Sequence, residues 1–240
     1  PACEAYDPAF AYERAAIVQD GIGRMYPGGD AAAGEDVFYY LTVYNENYAM
    51  PPKPEGVDAG ILEGLYRFAP APDGADHPAT VLFSGSAQGA ARAAQTELAE
   101  HYGVGADLWS ATSYKRLREE AMAVERWNRL HPTEDPRTPL VTRRLGEGDG
   151  PVVAVTDFMR AVPDQVARWS PRAWLSLGTD GVGRSDTRET LRRFFETDTA
   201  HIVVAVLAQL AADGRIEPSV VVDAIARYEL DPDAAAPWTR

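Results

Sequence analysis

From residue 80 onward the sequence repeats one pattern four times: a short apolar run, a turn, then a longer helical stretch. The runs are Thr80-Val81-Leu82-Phe83, Asp107-Leu108-Trp109-Ser110-Ala111, Val152-Val153-Ala154-Val155 and Trp174-Leu175-Ser176-Leu177. Each reads as a strand. The stretches after them read as helices over Ala87–Tyr102, Tyr114–Arg126, part of Phe158–Trp169 (with Pro163 limiting its start) and Thr187–Phe195. Two further helices, Thr199–Asp213 and Pro218–Tyr228, close the chain. Parallel strands need a crossover, and a helix on each crossover covers the sheet, so strict alternation predicts an α/β fold with a mainly parallel sheet and helices on both faces.

The first 56 residues follow another plan. Asp7-Pro8 suits a helix start, with Asp as cap and Pro at the first helical position. Phe10, Ile17, Val18, Ile22 and Met25 then recur at helical spacing and predict one apolar face, ended by Pro27-Gly28-Gly29. Val37 to Tyr44 is uniformly β-branched and aromatic, which predicts a buried strand. Asn45-Glu46-Asn47-Tyr48 ends it, and Met50-Pro51-Pro52-Lys53-Pro54-Glu55-Gly56 follows. Three prolines in four residues prohibit a helix and favour a stiff connector. The expected division is therefore 1–48, a linker over 49–56, and an α/β domain over 57–240. Residues 69–79, rich in Pro, Ala and Asp, read as an exposed turn.

Charge narrows the partners. The 240 residues carry 23 Lys and Arg against 36 Asp and Glu, a formal charge of −13. A field of that sign repels nucleic-acid phosphates and anionic membranes. Cys3 is the single cysteine, so an internal disulfide or a Cys-cluster metal site is excluded. No run reaches the ~18 uninterrupted apolar residues of a membrane helix. The chain opens Pro1-Ala2-Cys3-Glu4, with neither an initiator methionine nor a basic region before an apolar run, which suggests a piece or processed product of a longer protein. The expected location is cytoplasmic.

Few residues announce chemistry. His77 falls in the polar turn and His101 ends a helix. With His131 and His201 they match no metal-ligand spacing, and structural roles are expected for all four. No Gly-x-Ser-x-Gly elbow occurs. Gly148-Asp149-Gly150 has the opening of a thiamine-diphosphate magnesium motif, but no Asn closes it near residues 174–178, and it precedes a strand where the motif should follow one. Gly178 to Asp186 follows a strand and opens a helix, where backbone N–H groups can hold an anion. Its two aspartates within the turn oppose phosphate, and Asp186 with Glu189 suits a helix cap. Tyr44, Asn45, Glu46, Asn47 and Tyr48 lie just past a strand end, where α/β sheets gather ligands, or else simply open the linker.

Several strings resemble one family, the homodimeric, bacterial-type pyruvate dehydrogenase decarboxylating component. They are Tyr6–Glu13, Tyr39–Pro51, Glu125-Arg126-Trp127-Asn128 and Leu177–Glu189, and the similarity runs from Pro1 to about Leu230. The resemblance implies a C-terminal domain of transketolase type, preceded by the last helix and strand of a pyrimidine-binding middle domain. It implies thiamine diphosphate and magnesium in the intact enzyme, held upstream, with neither bound by this chain alone. It implies as partners the remainder of the same enzyme, the second protomer of a homodimer and the dihydrolipoyl acetyltransferase component. Some members carry His where this chain has Ala49. Related transketolases end the matching strand in Ser-Arg-Gln, whose arginine grips a sugar phosphate; here Thr42-Val43-Tyr44-Asn45 has no arginine, which fits an oxo-acid substrate. On this reading no residue here is catalytic, and Tyr44, Asn45, Glu46, Asn47 and Tyr48 form the edge of the substrate pocket. Two alternatives stand beside it: a separately encoded subunit of a split thiamine enzyme that passes a two-carbon unit to a carrier protein, and a flavodoxin-like module binding an anion at Gly178–Asp186.

Overall fold

The computed structural model describes residues 2–28 and 33–239. Its centre is a five-stranded sheet in the order β3-β5-β4-β6-β7. Here β3 is Tyr66–Ala69, β4 His77–Phe83, β5 Val104–Ser110, β6 Val152–Val155 and β7 Trp174–Leu177. β4 to β7 run parallel, and β3 lies antiparallel along β5. Alternate residues of a strand face opposite sides. Val81, Phe83, Leu108 and Val153 accordingly pack under α3 (Gln88–Tyr102) and α8 (Thr199–Ala212). Leu82, Trp109 and Ala154 pack on the other face with Leu117 of α4 (Tyr114–Leu130) and Leu145 of α5 (Leu140–Gly146). The α/β expectation and all four strand sites hold. α8, apolar enough to read as a membrane helix with the residues before it, is instead a core helix: Ile202, Val206, Leu207 and Leu210 are fully buried. α9 (Pro218–Arg227) packs on it.

A second, two-stranded parallel sheet pairs β1 (Cys3–Tyr6) with β2 (Phe38–Leu41), and α1 (Ala11–Met25) is the crossover between them. One side of this unit is packed. Ile17 and Tyr6 meet Ile61 of α2 (Asp58–Glu63) and Tyr66. Phe10 enters the main core, stacked on Phe68 at 5.0 Å and edge-on to Phe83 at 6.0 Å.

Several expectations need correction. Val37–Tyr44 is a strand only over Phe38–Leu41, and it is not buried: Phe38 and Tyr40 are 58% and 60% exposed, because among the described residues nothing covers the outer face of the small sheet. For the same reason Val18 and Ile22, read as part of an apolar face, stand 45% and 55% exposed, while Phe10 and Ile17 are buried. Asp7-Pro8 does not start the helix. The cap is Phe10, in extended backbone, and the Glu13 side chain turns back to accept from the Ala9 and Phe10 amides at 2.5 and 2.9 Å. Gly29, read as part of the helix stop, lies outside the described residues.

β4 starts at His77, so the turn after Ala69 is shorter than expected and His77 is a strand residue. α6 (Ala161–Ala167) holds Pro163 within its first turn, and α7 (Arg188–Phe194) is capped by Thr187, not by Asp186. β1, β3, α2 and α5 are four to seven residues long, too short for a periodicity to show.

Candidate functional site at the carboxyl ends of the strands

From β4 the chain crosses to β5 on one side and later returns to β6 on the other, so β4 and β6 flank the topological switch point of the parallel sheet. Crevices beyond the carboxyl ends of strands at such a point are the usual ligand sites of α/β sheets. Here Ser84-Gly85-Ser86 follows β4, Thr156-Asp157 follows β6 and Thr179 lies just past β7. The Ser84 and Thr156 hydroxyls are 2.9 Å apart. Ser86 donates to Asp157 Oδ2, and the Thr179 hydroxyl donates to the Asp157 carbonyl at 2.5 Å.

The N-terminal unit reaches into this crevice. The Asp7 amide donates to the Thr112 carbonyl at 2.8 Å, and the Gly85 amide to the Asp7 carbonyl at 3.2 Å. The hydroxyls of Thr42 and Tyr44 both donate to Asp7 Oδ1. Asp7, expected as a helix cap, is thus the fastening of residues 42–44 onto the sheet. Gly85 sits at φ +50°, and a Cβ there would collide with the Tyr44 hydroxyl. Glycine fits both constraints at once.

Beyond Tyr44 the loop is held by α7. Arg188 Nη2 donates to Asn45 Oδ1 at 2.6 Å. Arg192 grips Glu46 with both terminal nitrogens, at 3.2 and 2.5 Å, and Arg188 Nε lies 3.8 Å from the same carboxylate. The Arg192 guanidinium holds the Glu46 carboxyl below the usual carboxylate range. Burial pushes the Tyr44 phenol up, and the Asp7 carboxylate adds to this. Burial likewise pushes the Asp157 carboxyl up, with Asp7 and Glu46 adding to it and Arg192 opposing. Tyr44, Glu46, Asp157, Arg188 and Arg192 border a cavity of about 290 Å³, whose wall also includes Thr197, a buried residue whose hydroxyl has no partner among the described residues. The wall combines a carboxyl paired with Arg192, a second carboxyl pushed up by burial, and two guanidinium groups. It can orient a small polar molecule; it holds no Ser–His or Cys–His pair.

Of the five residues expected at a pocket edge, Tyr44, Asn45 and Glu46 line this cavity. Asn47 and Tyr48 do not. Asn47 faces solvent, and Tyr48 turns back to donate to the Ala9 carbonyl at 2.6 Å and pack on the main core. Ser86, Asp157, Arg188 and Arg192 are cavity residues that sequence reasoning missed. The available signal is their position directly after strands β4 and β6, or on one face of α7 four residues apart.

The other candidates have structural places. Asp149 pairs with Arg215 at 2.7 and 2.9 Å, which pulls its carboxyl down to about 2. Asp180 pairs with Arg160, and Asp186 accepts from the Thr187 amide at 2.7 Å, so carboxylates already occupy the Gly178–Asp186 turn. His201 bonds Asp198, the cap of α8, at 2.6 Å; His131 stacks on Trp127; His101 lies 3.7 Å from Glu97. Among the described residues no three His, Cys, Asp or Glu side chains gather as a metal site, so the donor set of this stretch does not fit a magnesium ion.

The fold and the switch-point crevice define a class, and the chain belongs to it: residues 64–198 match the transketolase-like C-terminal domain family. Residues 1–51 match a second family, the pyruvate dehydrogenase E1 component middle domain. The chain is 48% identical over 99% of its length to the pyruvate dehydrogenase E1 component of Mycobacterium tuberculosis and 44% identical over 99% to that of Escherichia coli K12. It spans about a quarter of the length of these relatives: 25% of the first and 26% of the second. Among solved structures, a Pichia stipitis transketolase in complex with sedoheptulose-7-phosphate shares the fold at a TM-score of 0.58 and 18% identity, over 88% of this chain and 25% of that one. Campylobacter jejuni transketolase does so at 0.58 and 15%, over 87% and 26%.

Proposed function

We propose that this chain is the C-terminal quarter of a pyruvate dehydrogenase E1 component: the end of its middle domain over 1–48, a linker over 49–56 and a transketolase-type C-terminal domain over 57–240. The observation that carries the reading is the identity of 44–48% over nearly the whole chain to relatives of that name, with both family matches in the expected order. The intact protein decarboxylates pyruvate and passes the two-carbon unit to a lipoyl group of the acetyltransferase component. Thiamine diphosphate and magnesium are held in the intact protein by residues upstream of this stretch. Its own contribution is packing, dimer surface and one wall of the substrate pocket, in the cytoplasm, away from membranes and nucleic acid. A separately encoded subunit is disfavoured, because the relatives carry this stretch within a chain about four times longer.

Tyr44, Asn45 and Glu46 form the pocket edge in this reading, Tyr48 anchors it, and Asn47 faces solvent between them. Losing one hydrogen bond to a desolvated partner costs ~1–3 kcal/mol, about ten- to a hundredfold in rate. Asn45→Ala or Glu46→Ala in the intact enzyme should lower kcat/KM for pyruvate by that order with Tm nearly kept. The 240 residues alone should show no turnover with pyruvate, thiamine diphosphate and magnesium. An intact protein that leaves pyruvate untouched, or turnover by the isolated chain, contradicts the proposal.

A further inference from the structure

We infer that Arg192, on helix α7 of the C-terminal domain, is a positioning residue for the pocket edge: it sets the place of Glu46, with Arg188 doing the same for Asn45. The inference rests on the proposed function and assigns to helix α7 of the C-terminal domain a part in substrate handling.

The geometry has three parts. First, the loop has little else to hold it. After Leu41 the strand ladder ends, and residues 42–57 have no regular structure before α2. Tyr44 is fastened to Asp7 and Tyr48 to Ala9, leaving Asn45, Glu46 and Asn47 between two anchors. Second, the bonds that fix Asn45 and Glu46 come from one helix. Residues 188 and 192 are one turn apart and present their guanidinium groups on the same face. Arg192 uses its planar fork on Glu46, at 3.2 and 2.5 Å, a two-point contact that fixes orientation as well as position. Third, the pair is only a quarter exposed on each side, so it is less screened than a surface pair. Arg192 also faces Asp157, whose charge acts on it through space, which ties the loop to the carboxyl end of β6. Arg193, next in sequence, points elsewhere: it bonds Asp198 at 3.3 Å and the carbonyls of Tyr228 and Glu229 at 2.6 and 2.9 Å. The two neighbouring arginines therefore separate a positioning role from a purely structural one.

The test uses the intact enzyme with thiamine diphosphate and magnesium and compares Glu46→Ala, Arg192→Ala, their double variant, Arg192→Lys and Arg193→Ala by kcat, KM for pyruvate and Tm. Residues that act as one unit are non-additive. The expected result is that Glu46→Ala and Arg192→Ala each lose about tenfold or more in kcat/KM, that the double variant loses no more than the worse single, and that Arg192→Lys recovers part of the loss by keeping charge without the fork. Arg193→Ala should lower Tm and leave KM unchanged. Additive losses overturn the inference, as does an Arg192→Ala enzyme that keeps its kcat/KM while Glu46→Ala loses it; in that second case the pocket-edge reading survives alone. If neither variant changes kcat/KM of the folded enzyme, the pocket-edge reading falls first and the inference with it.

Discussion

The two sheets of this molecule are made of similar residues and end up in opposite states. β4 and β6 are covered on both faces, and Val81, Leu82, Phe83, Val153 and Ala154 are fully buried. β2 is just as apolar, Phe-Tyr-Tyr-Leu, yet alternates inward Tyr39 and Leu41 with outward Phe38 and Tyr40. A parallel sheet normally has both faces covered, and a two-stranded one is seldom stable by itself. The small sheet persists because α1 and its inner side chains are sewn to the large domain. The lesson is that an apolar run states how much burial a segment needs, not whether the same chain supplies it. On the proposed function, the rest of a middle domain covers the outer faces of β2 and α1.

The sharpest way to break this comparison is to truncate one aromatic residue in each sheet of the isolated chain. Phe83→Ala removes a fully buried ring between Phe10 and Phe68 and should cost ~3–5 kcal/mol in urea unfolding. Phe38→Ala should stay within about 0.5 kcal/mol, as for an exposed site. Equal costs would mean that β2 is covered within this chain after all.

A second, somewhat smaller effect tests the seam between the two units. Glu13 is fully buried and accepts four hydrogen bonds: the Ala9 and Phe10 amides, and the hydroxyls of Tyr66 and Ser110 at 2.6 Å each. Burial pushes its carboxyl up while these four donors pull it down. Glu13→Ala strands donors from three elements and should cost on the order of 3 kcal/mol. If urea unfolding of Glu13→Ala matches the parent chain, the seam is not what joins α1 to β3 and β5.

The smallest effect lies at Glu46. Its folded pKa is lowered by Arg192, so its contribution is complete above the unfolded value of about 4.3 and is lost as pH falls through the lower folded value. Discounted for partial exposure, it amounts to no more than ~1 kcal/mol. The difference in Tm between the parent chain and Glu46→Gln should be constant from pH 5 to 7 and shrink toward pH 3. A difference that grows with acidity has the wrong sign for this ion pair.

The sequence shows the large domain well because each of its strands is followed by its own covering helix, so local pattern and final burial agree. It misjudges α1 and β2 because an apolar spacing marks a face without showing what covers it, and Val18, Ile22, Phe38 and Tyr40 stand exposed among the described residues. The helix start at Asp7 is misread for a different reason. Asp and Pro satisfy the local rule for a cap, but Thr42 and Tyr44, more than thirty residues away, claim the carboxylate, and Glu13 caps in its place. The same holds for the cavity. Asn45 and Glu46 are visible by their place after a strand, whereas Arg188 and Arg192, some 140 residues later, look like any basic helix face until the fold closes.

Hydrogen–deuterium exchange, read on the isolated chain and on the intact enzyme under the same conditions, tests the central claim most directly. Amides of an uncovered edge exchange through local opening, and those of a covered core only through larger unfolding. The amides of Phe38–Leu41 and of the second half of α1 should exchange fast in the isolated chain and become strongly protected in the intact enzyme, while those of β4 and β6 stay protected in both. Equal exchange of Phe38–Leu41 in the two proteins would contradict the claim that residues upstream complete this sheet.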